Sequence, residues 1–217
     1  MPTLNDLVEA LLPGFPSLNQ EEQKVSVQVH RLLAQGHPLT HQDVADNLQI
    51  PLERIDSMLN SWWGIHYDDH NRIVAYWGLS LEPTRHRFEV NGQILYTWCA
   101  WDTLFLSEIL QESVRVTSRC RSTNSSISLA LNPNSVEKVS PKDTCISFLT
   151  PETVKVKESV VNYFCHYVNF FESPEIGLVW TKKHTGTFLL SVDDAYALGR
   201  NINAAQYWDV LDKPWSS

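Results

Sequence analysis

Phe88-Glu89-Val90-Asn91-Gly92-Gln93-Ile94-Leu95 decides the fold class of this chain. Asn-Gly between two short β-prone runs is the strongest local hairpin signal, because the two-residue turn places both central residues at positive φ, which Asn and Gly tolerate. From about residue 81 onward the chain therefore reads as antiparallel β. Residues 114–117, 127–131 and 145–149 are expected as further strands, with Asn132-Pro133-Asn134 as a turn. Ser173-Pro174 and Ser191-Val192-Asp193-Asp194 each read as the cap of a C-terminal helix, and the closing residues 213–217 as a loose end.

Upstream of the hairpin the pattern is helical. Residues 21–35 place Val25, Val29, Leu32 and Leu33 on one stripe, and Gly36 followed by Pro38 ends it. Thr40-His41-Gln42-Asp43 fits a capping box for a short helix that ends near Asn47. Pro51 suits the first turn of the next helix, whose buried face is Ile55, Met58, Leu59 and Trp62. Residues 65–77, interrupted by Asp68-Asp69-His70-Asn71, read as a two-stranded wing. The expected architecture is α+β: a winged-helix-like helical domain over residues 1–80, then a mixed, mainly antiparallel β-sheet catalytic domain over residues 81–217 with flanking helices.

Charge argues against a DNA-reading role for such a unit. Residues 1–80 hold Lys24, Arg31, Arg54 and Arg72 against ten acidic residues, a net charge of 4 − 10 = −6, and the whole chain carries −8. Phosphate-backbone binding needs a concentrated field of the opposite sign. No apolar run approaches the roughly 20 residues that span a bilayer, and Met1-Pro2-Thr3-Leu4-Asn5-Asp6 lacks the form of a signal peptide. The expectation is a cytoplasmic protein with neither nucleic acid nor membrane as partner. Its four cysteines, with no Cys-x-x-Cys among them, are expected to stay thiols in a reducing compartment.

The hairpin delivers the chain to Trp98-Cys99-Ala100-Trp101-Asp102, where a thiol and a carboxylate stand three residues apart at an expected helix start. If the helix runs over residues 99–110, the dipole at its amino end favours the Cys99 thiolate, and Asp102 falls on the same face. The indoles of Trp98 and Trp101 would bury the carboxyl and raise its pKa, which suits a group that takes a proton and hands it on. On spacing alone, the simpler reading of Asp102 is an exposed helix-start aspartate. Phe164-Cys165-His166-Tyr167-Val168-Asn169-Phe170 is β-branched and aromatic enough to favour a strand, although a buried helix fits so short a run as well. By themselves Cys165, Cys120 and Cys145 read as core residues and His166 as a packing histidine on the opposite face. A structural zinc site would need ligand pairs at short spacing, and the cysteines supply none.

Three stretches together carry a resemblance. Trp98-Cys99-Ala100-Trp101-Asp102-Thr103-Leu104-Phe105-Leu106, the run from Phe164-Cys165-His166 to Glu172-Ser173-Pro174, and Leu190-Ser191-Val192-Asp193-Asp194-Ala195-Tyr196-Ala197-Leu198-Gly199-Arg200 resemble alkylmercury lyase, the organomercurial lyase of bacterial mercury resistance. Trp101 and Ser107 depart from the Leu and Pro usual there, and Asn169 stands where His is common. The resemblance implies cleavage of a carbon–mercury bond by protonation, giving a hydrocarbon and Hg(II). It implies Cys99 as first ligand of the organomercurial substrate, Cys165 as a second sulfur ligand, and Asp102 as proton shuttle. Mercury, a soft metal, prefers thiolates to nitrogen or oxygen ligands. Trp98, Trp101 and Phe164 would line the pocket for the organic group, and Cys120 would be structural. No cofactor is implied. Hg(II) would leave by exchange with exogenous thiols or with a mercuric reductase. The alternative is a non-catalytic thiol-based carrier of mercury or copper, which would need both cysteines and no Asp102.

Overall fold

The computed structural model describes residues 2–151 and 160–211, so the expected loose end at 213–217 lies outside the described residues. The chain opens with α1 (Leu4–Leu11), a short 3-10 turn at Leu12–Gly14, α2 (Gln20–Leu33), α3 (His41–Leu48) and α4 (Leu52–Ser61). The box predicted at Thr40 forms: Asp43 N–H donates to the Thr40 hydroxyl, and Thr40 N–H donates to the Asp43 carboxylate at 2.7 Å. Asn19 and Glu22 build the same device one element earlier and start α2 at Gln20. Val25, Val29 and Leu33 of its predicted stripe are fully buried.

β1 (Ile65–Tyr67) and β2 (Ile73–Tyr76) pair antiparallel, as read from the sequence. The pairing then continues. β2 also pairs with β3 (Leu79–Ser80), and β3 with β5 (Gln93–Thr97), whose hairpin partner is β4 (His86–Val90). Asn91 and Gly92 sit at φ +49° and +78° in the turn between them, the geometry their side chains permit. β6 (Val114–Arg119), β7 (Ser126–Asn132) and β8 (Ser135–Ser140) complete an eight-stranded antiparallel sheet of order β1-β2-β3-β5-β4-β6-β7-β8. On β6, Val114, Val116 and Ser118 are buried while Arg115, Thr117 and Arg119 are exposed, so this part of the sheet covers the core with one face. β8 escaped the sequence reading because Ser135-Val136-Glu137-Lys138-Val139-Ser140 has no apolar run; it is an edge strand, where charge is useful.

A second sheet, β10 (Phe170–Phe171), β9 (Cys145–Leu149) and β11 (Thr187–Ser191), has β9 in the middle and buried at every residue. The helix α5 (Asp102–Leu110) packs against α2, β7 and α7 (Val192–Gln206), while α6 (Pro174–Thr181) and α7 pack on this second sheet, α7 capped by the Ser191 hydroxyl, which accepts Asp194 N–H. Every residue of α5 except Glu108 is buried, so this helix is central rather than amphipathic.

Two expectations are corrected. α5 starts at Asp102, not Cys99. Residues 98–101 form a turn whose amides are engaged outside any helix: Trp98 N–H goes to Gly78 C=O, Cys99 N–H to the Asp102 carboxylate and Ala100 N–H to Val168 C=O. The run around Cys165 is not a strand. Val160–Cys165 is a wide helical turn, and only Phe170–Phe171 joins a sheet. Asn169 ends the turn, its side-chain amide donating to His166 C=O at 2.8 Å and its backbone amide to the Ser147 hydroxyl at 3.1 Å. Apolar β-branched and aromatic residues suit any buried segment; the choice here was made by these tertiary partners.

Candidate functional site

The turn after β5, the first residue of α5 and the end of the 160–165 turn converge in the core. The sulfurs of Cys99 and Cys165 and a carboxylate oxygen of Asp102 all lie within 4.8 Å of one another, and all three residues are buried. Among the described residues this is the one such grouping of three or more His, Cys, Asp or Glu side chains. It includes the two thiols and the acid singled out in the sequence. Asp102 is 7% exposed, which rules out the exposed helix-start reading.

The electrostatics revise one expectation and sustain another. Burial, together with the thiol of Cys165 and the charge of Asp102, pushes the Cys99 thiol well above its ordinary pKa. Cys99 is thus a protonated thiol at rest rather than a dipole-stabilised thiolate, since it lies outside the helix and out of water. The hydrogen bond with Cys99 favours the Cys165 thiolate, but burial and the Asp102 charge outweigh it and the net shift is upward. Burial also raises the Asp102 carboxyl to about 6, against hydrogen bonds from the Cys99 amide and thiol. The site therefore stores two thiol protons beside a carboxylate that is close to its own titration point at neutral pH.

Asp102 and Cys165 form part of the wall of an open cavity of about 370 Å³, whose other walls are Trp77, Gly78, Trp98, Trp101, Phe105 and Phe164, with Leu11 and Phe15 from the N-terminal helices. Cys99, 0% exposed, stands behind them. The three aromatics expected at the pocket are all there. Trp101 is anchored by an Nε1 hydrogen bond to Ala195 C=O at 2.9 Å and meets Phe105, Phe148 and Phe164 edge-on, while Trp98 stacks on His66. Phe105, Trp77, Gly78, Leu11 and Phe15 were not foreseen. Trp77-Gly78 reads only as a turn, and nothing local tells a core Phe or Leu from a pocket one.

The remaining cysteines are buried and stand outside the trio. Burial raises the Cys120 thiol, but hydrogen bonds from Thr123, Glu172 and Ser122 prevail and its pKa is lowered. Cys145 opens β9 opposite Phe171, and burial with the charge of Cys120 pushes it up to about 12. His166 is exposed, in contrast to the buried Cys165.

Comparison with known proteins places this geometry. A family model described as "MerB: Alkylmercury lyase" matches residues 79–204. An alkylmercury lyase of Staphylococcus epidermidis is 37% identical over 174 residues, 80% of this chain and 79% of the relative. One from Streptomyces lividans is 38% identical over 175 residues, covering 81% and 80%. One from Pseudomonas putida is 36% identical over 183 residues, 84% of each chain. The fold is similar to that of the mercury-bound form of MerB2, with a TM-score of 0.74 over 92% of this chain and 96% of that one at 22% identity.

Proposed function

This chain belongs to the alkylmercury lyase family, a family of enzymes, and on that premise we propose that it cleaves carbon–mercury bonds by protonolysis at Cys99, Asp102 and Cys165. The observation that carries the mechanism is the buried trio, with Asp102 and Cys165 on the wall of an apolar cavity and Cys99 behind them. In place of the order implied by the resemblance, Cys99 first and Cys165 second, the cavity lining favours Cys165 as the first ligand: its sulfur bonds to mercury and the displaced ligand leaves with the thiol proton. Cys99 then adds as a second sulfur donor, and its proton passes to the Asp102 carboxylate. Two thiolates on mercury push electron density toward carbon. Asp102 returns the proton to that carbon as the carbon–mercury pair becomes the new carbon–hydrogen bond. The balance is R–Hg–X and two cysteine thiols giving R–H, HX and Hg(II) held by two sulfurs.

Trp98, Trp101 and Phe164 hold the organic group and keep water from the carboxyl. Turnover requires no cofactor in this scheme. Two exogenous thiols, or the cysteines of a mercuric reductase, take Hg(II) by exchange and restore the protons. A cytoplasmic setting suits thiols that must stay reduced; among the described residues no helix is long and apolar enough to cross a membrane. We also read residues 1–80 as a winged-helix-like unit turned to packing and lid duty against a catalytic part at 81–217. The supporting observations are its α2–α4 helices with the β1–β2 hairpin, the net charge, and the reach of Leu11 and Phe15 into the cavity. The carrier alternative gives no reason for a dry carboxyl beside the two sulfurs.

The test is purified protein with phenylmercury and excess thiol, measuring benzene and Hg(II) release. Turnover is expected in the parent, near loss in Cys99→Ser and Cys165→Ser, and retained mercury binding with little benzene in Asp102→Asn. Undiminished benzene from Asp102→Asn removes the proton-shuttle role.

A further inference from the structure

Gly78 is the second residue of the two-residue turn between β2 and β3, where Tyr76 pairs with Leu79. Both turn residues hold positive φ, Trp77 at +36° and Gly78 at +93°. The turn is pinned from two sides. Gly78 C=O accepts Trp98 N–H at 3.0 Å, and Trp77 N–H donates to the C=O of Gly64, just past α4, at 3.0 Å. It is thereby fixed between the segment that follows α4 and the turn that carries Cys99. A Cβ built on Gly78 would stand 2.8 Å from Cγ of Asp102, 2.9 Å from Oδ1 and 3.0 Å from Cβ. The carboxyl thus occupies the space a side chain at residue 78 would need, and its far oxygen is taken by the Cys99 amide at 2.7 Å. A methyl group at residue 78 has to push the carboxyl off one partner or the other.

We infer that Gly78 is a positioning residue for the proton-transfer group: its missing side chain lets Asp102 stand beside the two sulfurs, and its backbone closes that side of the carboxyl to water. This rests on the reading of Asp102 as the proton shuttle. It assigns the N-terminal part of the chain a role in the chemistry, since Gly64, just past α4, holds the turn that holds the carboxyl. Backbone conformation alone does not account for the contact. Gly92 has nearly the same φ, +78°, and a Cβ there would meet nothing within 4 Å.

The two glycines make a matched experiment. Gly78→Ala and Gly92→Ala both carry the strain of positive φ, and only the first strikes Asp102. Benzene release from phenylmercury is measured against pH with excess thiol, alongside the melting temperature and Hg(II) bound per chain. The expected result is a loss of turnover of at least tenfold in Gly78→Ala with a displaced acid limb, Hg(II) binding kept, and parent-like turnover in Gly92→Ala. Gly78→Asn, which tolerates positive φ yet has a Cβ, is expected to behave as Gly78→Ala. The double variant Gly78→Ala/Asp102→Ala removes the two closest atoms, Cγ and Oδ1, and leaves only Cβ at 3.0 Å, so it is expected to regain part of the melting temperature lost beyond that of Gly92→Ala. Turnover and pH profile of Gly78→Ala equal to those of Gly92→Ala, or no regain in the double variant, overturns the inference. If Asp102→Asn is inactive in the same assay, such a result leaves the shuttle itself standing; an active Asp102→Asn sinks the shuttle whatever Gly78 does.

Discussion

The backbone amide of Cys99 donates a 2.7 Å hydrogen bond to Oδ2 of Asp102, so the deeper sulfur and the carboxylate proposed to carry the proton are held by one short closed turn. Neither can move without the other. The carboxylate stays ionised often enough to receive a proton because that amide favours its charge, while burial pulls the pKa upward to about 6.

Turnover is expected to fall as pH drops through about 6, where Asp102 becomes protonated and can no longer relieve Cys99 of its proton. The acid limb of kcat/KM for benzene release from phenylmercury checks this. A flat profile from pH 7.5 to 5 would contradict the proposed direction of proton flow.

Asp102 also makes the site costly to fold. A carboxyl whose folded pKa is raised contributes its full stabilisation below the unfolded value of 3.8 and loses it as pH rises through about 6. The difference of about 2 units corresponds to about 3 kcal/mol at neutral pH. Asp102→Asn is therefore expected to be more stable than the parent at pH 7.5 by up to that amount, with the gap closing near pH 4. Urea unfolding at the two pH values measures it.

His30 and His86 act with the opposite sign. Burial holds their pKa values down to about 4 and about 3, so both are neutral in the fold. His30 Nδ1 donates to Ser26 C=O at 3.0 Å, and His86 Nδ1 contacts the Ser118 hydroxyl at 2.8 Å. The unfolded chain takes up protons at about 6.5 and the folded chain does not, so stability declines as pH falls below 6.5, by about 3 kcal/mol for His30 at pH 4. In His30→Gln the decline between pH 6.5 and 4 should be shallower; an unchanged slope would show that His30 is not neutral in the fold.

Trp101→Leu removes three edge-on ring contacts and the indole hydrogen bond to Ala195 C=O. A loss of about 2–4 kcal/mol of stability is expected, from lost packing and one unmade hydrogen bond. Turnover should survive, because no reacting atom is removed, and bulkier arylmercurials should gain relative to phenylmercury as the wall recedes. A collapse of activity with phenylmercury in a folded Trp101→Leu would give the indole a more direct role.

Local signals were read well where the causes are local. The Asn91-Gly92 hairpin, the Thr40–Asp43 box, the Ser191 cap and the stripe of α2 formed as expected, because each depends on contacts within a few residues. The reading failed at Cys99, drawn into a turn by Asp102, Gly78 and Val168, and around Cys165, where Ser147 and Asn169 shape the chain. It missed the edge strand β8, whose stability comes from its neighbour.

From its order of residues, this chain declared an antiparallel β-rich body behind a helical start and, through a family resemblance, two thiols with one acid as its candidate chemistry. Only the tertiary structure decided that both thiols rest protonated, that the acid titrates near neutrality, and that it occupies the space a side chain at Gly78 would need. Those properties come from desolvation and close approach, and the groups that exclude the water, from Phe15 to Phe164, are brought together by folding rather than by adjacency in the chain.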